Sequence, residues 1–364
     1  MLRIILEEPE MNKKIKLIYL ILIVALNFSC VEKKAPEKET NIPERVATVK
    51  TDTLKFTSGV RAILQDSKGN YWIGSHNEGV SFYNGTVFEY FTVTEGLANN
   101  QIRSVQEDKK GNIWFGTANG ISVYNNGTFT NYLSKNNNPI FDWNTTNGDL
   151  WFYAWEEDGI NRFDGTNMNY LIFPKPHIKN TGIADNTYGV TDISTDKHGT
   201  MWIATYAALF NYDGKEVTIF DKEKLNLKHN ERLHIRNVLA DSKGRIWIGN
   251  NGIGVLLMEG NSTINFSKKH HLIHPTSKRN GTKSESGTLE HPFAIEEDAQ
   301  GNIWFGDIYA GAWKYDGKTL TNYLISNKQP HPMIWTIYKD NNLLFGLADG
   351  NIFKFNGKAF ERQF

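Results

Sequence analysis

Three arginines, Arg61, Arg103 and Arg236, each stand five residues before an aspartate that opens an Asp-x-x-Gly turn. The same column continues as Thr191, Phe293 and Trp335. Side chains at one position of a repeated unit converge on a common axis, and guanidinium forks brought together suit carboxylate or sulfate oxygens. Each arginine could instead pair with a nearby acid and serve the scaffold alone. A second set follows a recurrent tryptophan: His76 and Glu78, then Tyr153, Trp155 and Glu157, then Tyr206, Asn250, Asp307 and Tyr309, with Trp143 and Tyr188 nearby. Flat rings beside carboxylates and amides suit a sugar face, and polar groups so placed discriminate hydroxyl patterns. The alternative for each is a surface ring covering its neighbour. His76, His234, His291 and His331 are available as general bases, with Tyr153, Tyr309 and the arginines as helpers in an elimination.

The elements that must position these residues repeat along the chain. The clearest copy runs Gln101-Ile-Arg-Ser-Val-Gln-Glu-Asp108-Lys-Lys-Gly111-Asn-Ile-Trp114-Phe-Gly116, then Gly120 to Tyr124 and an Asn126-Gly127 turn. Its tryptophan recurs as Trp72, Trp151, Trp202, Trp247 and Trp304, with Leu344 in the last copy. Such spacing falls near the roughly 40 to 45 residues of a propeller blade. Asp-Gly and Asn-Gly pairs mark hairpin turns, and the apolar residues alternate with a period of two. A single blade exposes apolar residues on both faces and buries them only by stacking in a closed ring. The expected fold is all-β: a seven-bladed β-propeller of four-stranded antiparallel blades over residues 51–364. Blades are expected near residues 59–91, 101–132, 140–170, 190–220, 235–266, 293–323 and 334–364. The six tryptophans are expected to be structural, packed between blades. Blade three departs most, lacking the first-turn aspartate. Leu54-Lys55-Phe56 is expected to pair with the last blade and latch the ring.

Composition excludes several functions. Forty basic and 40 acidic side chains leave no net charge, and no basic stripe argues for nucleic acid. One cysteine excludes an intrachain disulfide and a cysteine metal cluster. The connection at 265–291 is basic and holds His270, His271 and His274 without a fixed ligand spacing. No metal or cofactor is expected, and no nucleophile elbow, zinc motif or phosphate loop appears.

Residues 1–29 read as a signal segment, with the true start possible at Met11. Lys13, Lys14 and Lys16 precede the apolar run Leu17–Leu26, which is short for a membrane span and suited to secretion. Leu26-Asn27-Phe28-Ser29-Cys30 resembles a bacterial lipoprotein box, which implies lipidation of Cys30; a plain signal peptide cut nearby is the alternative. Residues 30–50, rich in Lys, Glu and Pro, read as a flexible stalk.

The Asp-x-x-Gly-x-Ile/Leu-Trp-Phe/Ile-Gly-Thr pattern, followed by Gly-Ile-Ser-Val-Tyr and an Asn/Asp-Gly turn, resembles the two-component regulator propeller repeat. Asp108 to Gly127 match closely, as do Asp66 to Gly85 and Asp298 to Gly317. The resemblance implies kinship with sensor propellers that recognise glycan breakdown products and, more loosely, with seven-bladed lyases. It implies no catalytic residue at any position here. The expected function is a non-catalytic extracytoplasmic propeller lipoprotein of a Gram-negative bacterium, periplasmic or cell-surface facing, binding a glycan or oligosaccharide on its channel face. A polysaccharide or antibiotic lyase and a protein–protein interaction scaffold are the alternatives. Expected partners are a lipid membrane through acylated Cys30, a glycan ligand or a protein partner, and no nucleic acid.

Overall fold

The computed structural model describes residues 48–132, 139–140, 143, 145–146, 148–154, 158–174, 188–228, 231–274, 287–325 and 332–364. Their strands form seven sheets, one for each expected blade. In six blades consecutive strands pair antiparallel in chain order, beginning with an inner strand: Val60–Gln65, Ile102–Glu107, Val190–Thr195, Ile235–Ala240, Pro292–Glu297 and Ile334–Lys339.

The repeat's aspartate and tryptophan are coupled. Asp66 Oδ1 accepts the backbone N–H of Lys68 at 3.0 Å and of Asn70 at 2.8 Å, closing the first turn. Its Oδ2 accepts the Trp72 indole N–H at 3.0 Å. The same bond recurs from Trp114 to Asp108 at 2.9 Å, Trp247 to Asp241 at 2.8 Å and Trp304 to Asp298 at 3.0 Å. One carboxylate thus sets the turn and satisfies the indole donor that burial would otherwise orphan. In blade four Asp196 closes the turn, and the Trp202 indole N–H has no partner among the described residues.

Seven apolar clusters hold the ring, one at each interface between neighbouring blades. The tryptophans sit in them as expected. Trp72 meets Phe82 of its own blade and Phe115 and Tyr124 of the next, with ring centroids 4.7, 5.6 and 5.2 Å away. Trp247 and Trp304 are wholly buried. The glycine two residues after the tryptophan lets the next inner strand approach. A Cβ on Gly74 would lie 2.4 Å from Ile102 Cγ2, and one on Gly306 2.5 Å from Ile334 Cγ2, closer than van der Waals packing allows.

Two places differ from expectation. In blade three the strands Leu150–Tyr153, Gly159–Phe163 and Met168–Ile172 pair antiparallel, but the fourth strand, Pro139–Ile140, runs parallel along the outer edge. No inner strand precedes Leu150 among the described residues. Without a turn aspartate after an inner strand, Asp149 is freed to take the buried Arg162 guanidinium at 2.6 Å. The latch differs as well. The last blade supplies all four of its own strands, and Lys50–Thr51 pairs instead with the outer edge of blade one. Leu54 and Phe56 close the ring as side chains, buried among Val60, Phe88, Leu344 and Ile352. Polar bonds join the same interface: the Tyr71 hydroxyl donates to Asp340 at 2.6 Å and the Gln65 N–H to the Tyr338 hydroxyl at 2.9 Å.

Candidate functional site in the central channel

Each of the six inner strands carries a β-bulge at its second residue. The residues left out of register are Arg61, Arg103, Thr191, Arg236, Phe293 and Trp335, the column seen in the sequence. A bulge re-aims the extra side chain, and all six line one cavity of about 260 Å³ on the ring axis. Tyr153 and Tyr206 reach the same cavity from the ends of second strands. Tyr153 does so where blade three has no inner strand among the described residues.

The arginines rest on aromatic faces. The Arg61 guanidinium lies 4.8 Å from the Trp335 ring centroid, and its Nε donates to His76 Nδ1 at 3.3 Å. The His76 ring meets Trp335 edge-on at 5.1 Å. Arg236 lies 5.0 Å from the Tyr206 ring and 4.8 Å from Phe293, and donates from Nη1 to the Tyr206 hydroxyl at 3.2 Å. Arg103 donates to the Gln101 side chain at 3.0 Å. Among the described residues, neither Arg61 nor Arg236 has a carboxylate within ion-pair reach. For these two, no described residue supplies the acid pair. Burial, with the neighbouring charges of Arg103 and Arg236, pulls the Arg61 guanidinium down to about 10. Burial likewise lowers Arg236. Cation–π contact offsets part of this desolvation but supplies no counter-charge.

The two histidines beside the arginines are held neutral. Burial and then the charge of Arg236 pull His234 down to about 4. Burial, Arg61 and Arg103 lower His76. Among the described residues the buried Nε2 of His234 has no partner.

Two acids that the sequence reading did not single out share the cavity wall. Asp192 lies one residue past the bulge of blade four, and Glu296 three residues past that of blade six. Asp192 Oδ2 accepts the Val238 N–H at 2.9 Å and the Asn237 side-chain amide. Burial raises Asp192 to about 7 against the pull of the Val238 and Ile193 amides, and the charge of Glu296 adds to the rise. Burial raises Glu296 too. An acidic residue within an inner strand is the signal for both, one that Glu107 and Glu297 share.

Other candidates are engaged in the scaffold. Glu78 accepts four hydrogen bonds from Thr57 and Ser58, at 2.7 to 3.0 Å, pinning the chain that enters blade one. Asn250 accepts the His234 N–H at 2.7 Å. Asp307 accepts the amides of Glu290, His291, Tyr309 and Ala310 at 2.7 to 3.1 Å. Both occupy the repeat position of Thr117, whose hydroxyl bonds Gly120 O at 2.7 Å, so the repeat itself marked them as loop closers. Trp143 is buried against Phe173 and Tyr212 between blades three and four. Tyr188 is buried against Phe210. Tyr309 meets His291 edge-on at 5.3 Å, outside the channel lining. Cys30, Trp155, Glu157 and His331 lie outside the described residues, as do the signal segment, most of the stalk and residues 275–286. Among the described residues, no three His, Cys, Asp or Glu side chains gather as a metal site, and no helix is long and apolar enough to cross a membrane.

Residues 55–77 and 96–119 match the family model described as two component regulator propeller. The chain carries two component regulator propeller repeats. The matched segments span the turn aspartates and tryptophans of blade one and blade two. No curated protein matches this repeat chain significantly. Among solved structures, virginiamycin B lyase from Staphylococcus aureus is similar at 17% identity and a TM-score of 0.60, over 85% of this chain and 98% of that one. The extracellular domain of a B. thetaiotaomicron protein named as a hybrid two component system is similar at 22% identity and a TM-score of 0.60. That match covers 83% of this chain, which spans 39% of the other. YCF48 bound to D1 peptide is similar at 10% identity and a TM-score of 0.55, over 90% and 99%. At these identities the likeness is one of fold.

Proposed function

We propose that this repeat chain is an extracytoplasmic propeller, tethered by a lipid on Cys30, that binds an acidic saccharide in its channel without transforming it. One observation carries the reading: Arg61 and Arg236 are desolvated on ring faces, in a cavity, with no carboxylate partner among the described residues. A buried cation without a counter-charge is costly, and an entering carboxylate or sulfate supplies the missing charge by bidentate hydrogen bonds. The aromatic neighbours give the same mouth an apolar side for a sugar ring. The extracellular two-component propeller of similar fold supports an outward-facing location, and the signal segment agrees.

The test is calorimetric titration of the purified protein with glucuronate-containing and sulfated oligosaccharides, with products followed by ultraviolet absorbance. Binding without product is expected. Replacing Arg61, Arg103 and Arg236 together with Ala is expected to weaken binding at least a hundredfold, the strand content by circular dichroism being unchanged. Unaltered affinity in that variant refutes the site. A rise in absorbance from unsaturated sugar would make the protein a lyase, the chemistry named for one similar structure.

A further inference from the structure

The channel wall carries charge of both signs at different depths. The arginines enter from the bulge at the second residue of the inner strands of blades one, two and five, and the acids Asp192 and Glu296 from the third and fifth residues of those of blades four and six. All six inner strands start at the same end of the ring, and a strand advances about 3.3 Å per residue. The acids therefore lie about 3 to 10 Å further along the axis than the arginines. They do not neutralise Arg61 or Arg236, which have no carboxylate within ion-pair reach among the described residues. Burial raises each carboxyl and the charge of Glu296 raises Asp192 further, while Lys339 pulls Glu296 the other way. The same wall holds buried polar atoms with no partner among the described residues: Thr191 Oγ1 and Arg236 Nε at the level of the arginines, and Asn237 Oδ1 at the level of Asp192.

From this two-tier arrangement we infer that the channel selects a small zwitterion: an anionic group on the arginine tier and a protonated amine on Asp192 and Glu296. The amine places a positive charge beside Asp192, which has no cation beside it among the described residues, and beside Glu296, whose cationic neighbour is Lys339, and donates to Asn237 Oδ1. The cavity, about 260 Å³, suits one or two sugar or amino-acid units better than a polymer. The inference rests on the arginine reading above and narrows it from acidic saccharides to amino-bearing acids.

The experiment compares ligands that differ in the amine alone. Muramic acid is titrated against N-acetylmuramic acid, and alanylglutamate against its N-acetyl form, so that a sugar and a peptide source are distinguished. The free amine is expected to bind at least tenfold tighter in one pair or both. Asp192→Asn combined with Glu296→Gln is expected to erase that preference, bringing the two affinities of each pair within about twofold of one another. Should the double variant not fold, the wild-type ratio decides alone, with each single variant read separately. Equal affinity within both pairs overturns this inference and leaves the acidic-ligand reading standing. Failure of all four ligands and of the glucuronate and sulfated oligosaccharides overturns both.

Discussion

Replacing Asp192 with Asn removes a charge that the fold pays to keep. The carboxyl titrates near 3.8 when free and at about 7 in the folded chain, chiefly because burial disfavours its ionised form. The folded state thus holds a proton that the unfolded state releases in that interval. The protonated carboxyl's full contribution to stability is present below about 3.8 and is lost as pH rises through about 7. The gap corresponds to about 4 kcal/mol at most, at about 1.4 kcal/mol per pH unit. Asp192 is partly exposed at the cavity wall, so solvent screening brings the expected figure to about 1–3 kcal/mol. Asn keeps an oxygen for the Val238 N–H and for the Asn237 amide, so no hydrogen bond is lost. Equilibrium urea denaturation at pH 8 should show Asp192→Asn more stable than wild type by that amount. At pH 4 the two should agree within about 0.5 kcal/mol, by the same linkage. A variant less stable at pH 8, or a gain of equal size at both pH values, would refute the reasoning. The ionised acid would then be stabilised by something other than a ligand.

Two further outcomes concern the scaffold. Trp304→Ala empties the interface between blades six and seven, where the indole is wholly buried against Phe345 and Phe355; thermal unfolding should show a loss of about 3–5 kcal/mol. Asp149→Ala leaves the Arg162 side chain, only 9% exposed, without its partner; a loss of about 3–5 kcal/mol is expected, with much of it recovered on adding Arg162→Met.

The ring was legible because its determinants are local and repeated. Each Asp-x-x-Gly turn, each tryptophan six residues after the aspartate and each Asn/Asp-Gly hairpin is a short-range signal, and the copies reinforce one another. The blades' interfaces followed from the need to bury two-faced sheets. Blade three was flagged by its missing aspartate, but the parallel edge strand at Pro139–Ile140 was not, since a two-residue pairing carries no pattern. The closure was half legible. Leu54-Lys55-Phe56 reads from sequence as a strand pairing with the last blade, the right seam, yet whether it acts by backbone pairing or by packing depends on distant residues such as Leu344 and Ile352. In the channel, the arginine column was readable from repeat alignment, while the bulge that turns it inward was not. Asn250 and Asp307 looked functional because polar residues near a rim attract that reading; aligning them with Thr117 gives their actual work, bonding loop amides.

The bulges have an evolutionary consequence. A residue outside the ladder's pairing can change without altering a cross-strand bond, and Arg, Thr, Phe and Trp already occupy the same station in sister blades. Selection for foldability acts on the turn aspartates, indoles and glycines, whereas selection for what the mouth accepts acts on a separate column. Descendants of such a gene can rewrite that mouth one letter at a time while the architecture is inherited unchanged.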